Sequence, residues 1–506
     1  MASTSLASPR RYEPVHLIQR PTPRQRTDIW IVLAPAVLAL FLSVLSSWRP
    51  SYWLDETVTV ASTVEPVSEI GSVLRHTDSV HGLYYLLMHP WAQVSVAEWW
   101  MRLPSALAVT GTAALVALLG WQLGGRRVGI LAGCVFALLP ISSSYGMEAR
   151  GYALSMMFSA AAAVSLVQAA RGGRRRWWIA YTACVVVSAW VFLFSVLILT
   201  GHAGYVLGAR RRTVAGLLGR WIRCVAVALI LIAPLAVLAD GQAGQVSWVQ
   251  RPTLRGSIDL WRTLWFSYST KLALVMWLLV LIAVGGGLIP RLRRTIAGRD
   301  LVVLGLGTAG LPPVVMLVVS QVHPIFVARY ALDSIVPLSL LAGYGLARIP
   351  LRGAGAIGLV LVMLTGLGAQ NFQRRIDGKG DVISALAAVV EQQRRPGDAL
   401  MVMPEWYRSA AVAYPAAFGG MADLGLSSSF DLSRRLNPVQ ASAATMSARL
   451  RAIPRVWVLR QNIPLGPGSP GYTVVEEEQA ALRAAGFTAT ATYPGERTEL
   501  ILMTRR

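Results

Sequence analysis

Charge is scarce in this 506-residue chain, and lysine is nearly missing: 14% of residues are Asp, Glu, Lys or Arg, and Lys271 and Lys379 are the only lysines. With 54% hydrophobic residues and a positive mean hydropathy, that scarcity excludes an ordinary water-soluble domain of this length. Acidic residues are the thinnest class, 25 Asp and Glu against 47 Lys and Arg, for a formal net charge of +22. The arginines fall in short clusters between apolar runs rather than on one domain, so they read as topology signals and not as a nucleic-acid footprint. The three cysteines, Cys134, Cys184 and Cys224, lie in apolar runs at no metal-ligand spacing, which implies no disulfide framework. The N-terminus has no apolar stretch followed by a small-residue cleavage site, so the first run, residues 29–47, reads as a retained helix rather than a cleaved leader.

What remains is an α-helical polytopic membrane protein. Apolar runs at 29–47, 103–123, 128–141, 152–170, 177–191, 194–207, 221–240, 272–289, 301–321, 330–347 and 353–370 give about eleven transmembrane helices. The segment 83–94 is too short to cross a bilayer, and with Tyr84, Tyr85 and Trp91 it reads as a helix lying at the interface. Residues 1–28, rich in Pro and Arg, read as a disordered cytoplasmic N-terminus. The loops at 124–127, 171–176, 209–220, 291–299 and 347–352 are rich in arginine, which places them in the cytoplasm and the C-terminus outside. The weakest boundary is 191–195, where no strong turn signal separates two short runs. From Asn371 onward polar residues rise; RRIDGKGD reads as a linker, and 371–506 as a small soluble extracytoplasmic α/β domain. Helices are expected at 382–394 and 476–485, with strands at 399–403, 455–459 and 499–503.

The polar stretch 48–102 between the first two spans carries the chemistry. Asp55 and Glu56 lie just beyond a span, where carboxylates are costly unless they face water or a partner. The same external face receives HTDSVHGLYYLLMHPW (76–91), MRLPSALA (101–108), YGMEARGYAL (145–154) and FVARYALDSIVP (326–337). This ordered set, spread over about the first 370 residues, resembles the family 39-type glycosyltransferases of the GT-C superfamily. That group includes protein O-mannosyltransferases and the aminoarabinose transferase of lipid A; the resemblance is strongest to actinobacterial members.

The resemblance implies a GT-C catalytic domain over 29–370, a large first external loop and a polyprenyl-phosphate sugar, mannose, as donor. It makes Asp55 the candidate base. Independently of any family, an acceptor hydroxyl must lose a proton as it attacks the anomeric carbon, and a carboxylate suits that task. Glu56 would orient Asp55 or raise its basicity by like-charge proximity. The bland reading of Asp55 is a helix cap.

A polyprenyl-phosphate leaving group needs cations at the external face. Arg329 beside Tyr330, Arg150 and Arg251 are the candidates for it, with Lys271 weaker. Their alternative is structural pairing, such as Arg150 with Glu148, or snorkelling. His81, Tyr84, Tyr85 and Glu148 are candidate sugar or acceptor contacts, and Trp53 could stack on a sugar. His76, Asp78, His81 and His89 invite a metal reading, but their spacing matches no ligand pattern; no cofactor is expected, with a divalent metal as the alternative.

The expected partners are a lipid-linked sugar, a cell-envelope glycan or glycolipid resembling lipomannan, and membrane lipid. A protein hydroxyl as acceptor or a pentose donor, as in an arabinofuranosyltransferase, stays open. A lipid or sugar transporter is the rival class, weakened because few charges lie at the centres of the spans. A third reading is an idle scaffold docking through 371–506.

Overall fold

The computed structural model describes residues 28–209, 216–246, 248–253, 255–257, 265–285, 296–427, 440–462, 465–466, 468–469 and 471–505. The expected N-terminal tail, apart from Asp28, lies outside them.

The membrane part begins with α1 (Trp30–Val44). The loop that follows is mostly helical, contrary to its reading as a polar loop: α2 (Leu54–Val64), α3 (Val67–Leu74) and α4 (Gly82–Ala92). The sequence LDETVTVASTV of α2 is rich in β-branched residues and has weak helix propensity. Its helix is held by packing against α4 and by Asp55 and Glu56 in the first turn, where the helix dipole favours anions. The short helix expected at 83–94 is present as α4, with Tyr84 and Tyr85 buried inside the protein.

Then come α5 (Glu98–Gly124), α6 (Arg126–Leu138), α7 (Pro140–Gly146), α8 (Tyr152–Gly172), α9 (Arg175–Val191), α10 (Ile198–Ala209), α11 (Leu217–Asp240), α12 (Thr270–Gly285), α13 (Ile296–Val319), α14 (Ile335–Arg348) and α15 (Ala354–Phe372). Among the described residues six helices are long and apolar enough to cross a membrane, or seven if the bent pair α6 and α7 counts as one span. The other expected spans coincide with shorter helices: α1 with 15 residues, α9 with 17, α10 with 12 and α12 with 16.

Two departures from straight spans matter for the site. The run 128–141 breaks at Pro140 with a 65° bend, because the residue before proline is driven out of helical geometry and Leu139 is extended. The run starting at 330 opens as a 3₁₀ segment, Ala328–Ser334, before α14. Both breaks sit at the end of the bundle nearest α2. Elsewhere the bundle packs through small residues: a side chain at Gly343 of α14 would strike the backbone of α6 at Ala132.

The C-terminal part is α/β, as expected. It contains α16 (Ile383–Gln393), β1 (Ala399–Met403), α17 (Arg408–Ala413), α18 (Pro415–Phe418), β2 (Ala422–Asp423), α19 (Ala443–Leu450), β3 (Arg455–Gln461), α20 (Tyr472–Ala484), β4 (Phe487–Tyr493) and β5 (Thr498–Arg505). The sheet order is β2-β1-β3-β5-β4, with β2, β1 and β3 parallel and β5 antiparallel to both its neighbours. Apolar residues from both sheet faces form two cores, one under α16 and one under α19 and α20.

This domain is fastened to the loop before and within α2. Tyr414 Oη donates to Glu98 Oε1 at 3.0 Å and accepts from the Tyr52 backbone at 3.1 Å. Ser409 and Thr57 hydroxyls meet at 2.8 Å, and Ser51 Oγ accepts from the Ser384 backbone at 2.9 Å. The expected linker is an anchored connector: Lys379 is buried and donates to Glu148 Oε2 at 2.8 Å.

Candidate active site

The first turn of α2 presents its two carboxylates to different surroundings, because adjacent helical residues point about 100° apart. Asp55 is a quarter exposed and pairs with Arg329, Oδ2 to Nη2, at 3.5 Å. Glu56 is fully buried and faces α5. It accepts from Arg102 Nε at 2.9 Å, from Arg102 Nη2 at 2.7 Å and from the Ala149 backbone at 2.8 Å. Arg102 spends its remaining donors on the carbonyls of Ser47, Pro50 and Ser51. Burial pushes the Glu56 carboxyl up, but the charge and hydrogen bonds of Arg102, with Lys379 and the Ala149 amide, outweigh it and hold the group below its ordinary value. Glu56 is therefore neutralised by a saturated ion pair, and the expected like-charge effect on Asp55 is corrected: Glu56 ties α2, α5 and the 147–150 turn together.

The proline bend delivers that turn to the site. Arg150 Nη1 donates to the Asp55 carbonyl at 3.3 Å, to Thr59 Oγ1 at 3.3 Å and to Tyr85 Oη at 3.1 Å. Tyr85 in turn donates to Asp78, whose Oδ1 lies 3.9 Å from His81 Nε2. Burial raises the Asp78 carboxyl to about 6 against the opposing pull of Arg150 and the Tyr85 hydrogen bond. Burial and the neighbouring charges of Arg150 and Arg329 drive His81 well below its ordinary value, so its ring is neutral. That ring stacks on Phe192 at 6.1 Å and meets Tyr152 edge-on at 6.0 Å.

Arg329 comes from the 3₁₀ segment and sits among aromatic faces: Trp53 at 5.6 Å, Tyr330 at 5.7 Å and Trp248 at 6.0 Å. Tyr330 stacks on Phe194 at 4.8 Å. Phe192 and Phe194 lie at the break between α9 and α10, the boundary that carried no turn signal; extended Phe192 makes the break, and its packing against His81, Tyr152 and Tyr330 holds it there.

Among the described residues the Nε atoms of Arg150 and Arg329 are buried without a hydrogen-bond partner. Asp55, Arg329, Tyr330, Arg150, Tyr85 and His81 thus form one cluster of a partly exposed carboxylate, two guanidinium groups with spare donors and aromatic walls. Other expected members lie elsewhere. Tyr84 is 2% exposed within the apolar core of α2 to α5. Glu148 pairs with Lys379 rather than with Arg150 or a sugar-facing group. Arg251 is exposed and, among the described residues, makes no polar contact with the cluster; Lys271, also exposed, begins α12. His89 hydrogen-bonds the Thr63 carbonyl at 2.9 Å, and His76 that of Ser72 at 3.0 Å. Among the described residues no three His, Cys, Asp or Glu side chains are grouped to hold a metal ion.

The fold is similar to that of ArnT from Cupriavidus metallidurans. The apo form matches with a TM-score of 0.60 at 13% identity, over 94% of this chain and 97% of that one. The form bound to undecaprenyl phosphate matches with 0.59 at 12%, with the same coverage. The chain has the GT-C fold. Within this GT-C fold the similarity extends to an oligosaccharyltransferase, AglB from Archaeoglobus fulgidus in complex with an inhibitory peptide and a dolichol-phosphate. It matches with a TM-score of 0.52 at 9% identity over 87% of this chain and 70% of that one. No family model and no curated protein matches the sequence.

Sequence reasoning missed Arg102, Lys379 and Asp333 of this GT-C fold. Asp333, inside the span that begins with the 3₁₀ segment, accepts from Ser159 Oγ of α8 at 2.8 Å. A carboxyl in an apolar run is itself a signal, and it stands in the FVARYALDSIVP motif.

Proposed function

We propose that this protein is a membrane glycosyltransferase that moves a sugar from a polyprenyl-phosphate donor to an acceptor hydroxyl at the outer face of the cytoplasmic membrane. The N-terminus is then cytoplasmic and the α/β domain extracytoplasmic, in keeping with the arginine-rich loops. The observation that carries the reading is the Asp55–Arg329 pair at 3.5 Å, flanked by Arg150. Its support from relatives is the GT-C fold and the undecaprenyl phosphate and dolichol-phosphate bound by ArnT and AglB.

In this reading the donor phosphate takes Arg329 from Asp55 and uses the spare Nε donors of Arg329 and Arg150. Asp55, released from its partner, accepts the proton of the acceptor hydroxyl. The acceptor oxygen forms its bond to the anomeric carbon as the bond from that carbon to the phosphate oxygen breaks. The electron pair leaves with the polyprenyl phosphate, whose charge the two arginines hold. Such a base contributes roughly 10²- to 10⁴-fold to rate. The scheme calls on no resident cofactor.

Mannose is the proposed sugar and a cell-envelope glycan or glycolipid the proposed acceptor. A protein hydroxyl and a pentose donor are the neighbouring alternatives. The test is transfer of labelled mannose from polyprenyl-phosphomannose to an envelope lipid extract by the purified protein, with GDP-mannose as control. Transfer from the lipid donor alone is expected. Transfer only from a polyprenyl-phosphopentose would change the sugar, and movement of lipid between leaflets with no transfer from either donor would overturn the enzyme reading.

A further inference from the structure

A cavity of about 880 Å³ opens where α1 and α15 end, lined by Leu45, Ser46, Arg49, Arg374, Arg375 and Asp377 among others. Its volume falls in the range of small-ligand sites, about 300–1,000 Å³. Its charge is one-sided, with three guanidinium groups against one carboxylate. Arg375 shares that carboxylate in a two-pronged pair, both contacts at 2.9 Å. Arg374 donates to the carbonyls of Leu42, Leu45 and Gln370 and to the Gln370 side chain, so it keeps its charge with no carboxylate beside it. The Arg49 side chain is exposed and has no polar partner among the described residues.

The groove lies beside exposed apolar side chains. Phe41, Leu45 and Trp48 are 58%, 40% and 56% exposed on the α1 side, and Leu364, Leu367 and Phe372 of α15 are 55%, 45% and 51% exposed. Large apolar side chains bared to this extent on two apolar helices whose ends Arg374 joins fit acyl chains. The cations sit where a headgroup would be, and arginines near a membrane surface attract anionic lipid.

We propose that this groove binds the phosphate headgroup of an anionic phospholipid, with the acyl chains lying along α1 and α15. Arg49 and Arg375 are its main electrostatic contacts. Arg374 is structural as well as basic, since it caps the carbonyls at the ends of both helices.

The proposal is separate from sugar transfer and is read by binding. Full-length protein in nanodiscs of phosphatidylcholine is titrated with phosphatidylglycerol, and bound lipid is counted by native mass spectrometry. Wild type, the exposed single variant Arg49→Gln, the double variant Arg49→Gln/Arg375→Gln and a control, Arg352→Gln, are compared. At about one kcal/mol per arginine, the affinity for phosphatidylglycerol is expected to fall about 5-fold in the single and about 30-fold in the double variant, with the control unchanged. Equal retention in wild type and both variants, or equal binding of phosphatidylcholine and phosphatidylglycerol by wild type, would overturn it. So would displacement of phosphatidylglycerol by an equimolar amount of polyprenyl phosphate, which would assign the groove to the donor lipid.

Discussion

The two faces of the first turn of α2 hold two ion pairs built for opposite ends. On the inner face Glu56 and Arg102 are buried, and every donor of the guanidinium that faces the carboxylate or the loop is used. On the outer face Asp55 and Arg329 are each about a quarter exposed, 3.5 Å apart, and a buried Nε is left over. A saturated pair fixes a structure, because removing one partner strands the other charge in a low dielectric. An unsaturated pair at a surface contributes little to stability and can exchange partners. The contrast sets a saturated, buried pair beside an unsaturated, partly exposed one within two consecutive residues.

Breaking the inner pair has the largest expected effect on folding. Glu56→Ala leaves Arg102 buried and uncompensated, at a cost of about 3–5 kcal/mol. The yield of monodisperse protein and its thermal midpoint should fall sharply, while Asp55→Ala should leave the midpoint nearly unchanged. Equal losses for the two would erase the distinction.

Weakening the outer pair should act on donor binding. Arg329→Lys keeps charge but loses the fork and the flat stacking on Trp53 and Tyr330. With charge-assisted hydrogen bonds contributing about 1.5–3 kcal/mol, KM for the lipid donor should rise about 10- to 100-fold at unchanged thermal stability. An unchanged KM would remove Arg329 from the phosphate site.

A smaller effect is expected behind the outer pair. Asp333 holds the 3₁₀ segment to α8 through Ser159, one turn beyond Arg329. Asp333→Asn keeps an acceptor and should change donor KM by less than about twofold, whereas Asp333→Leu should raise it about 5-fold. Equal behaviour of the two variants would deny it a positioning role.

The smallest effect is on pH dependence. The Asp78 carboxyl is raised from its ordinary value to about 6, so the folded state favours its protonated form. Its contribution to stability is full below about pH 4 and is lost as pH rises through 6. Asp78→Asn should flatten the fall in thermal midpoint between about pH 4 and 6, with no difference in slope above it; an identical slope in wild type and variant would show that another group sets it.

Much of this was legible from the order of apolar runs and from the acidic pair, since membrane length and charge cost are local properties of sequence. The structure brings Asp55, Arg329, Arg150 and Tyr85 together from four separate motifs. The partner of Glu56 was not legible, because Arg102 stands in a motif whose apolar neighbours conceal a buried guanidinium. The tether from Lys379 to Glu148 was equally hidden: only the fold brings the connector beside the proline bend. Strand β4 escaped because FTATATY carries too few large apolar residues to mark a strand. The helices α2 and α3 escaped because packing, not propensity, forms them.

In the proposed reaction Asp55, and not Glu56, is the working carboxylate. The most direct test measures turnover per folded molecule for Asp55→Asn and Glu56→Gln side by side, with polyprenyl-phosphomannose as donor. A loss of about 10²- to 10⁴-fold is expected for Asp55→Asn at wild-type thermal stability, and near-normal turnover for the surviving folded fraction of Glu56→Gln. Retained turnover in Asp55→Asn, or a comparable loss in well-folded Glu56→Gln, would contradict it.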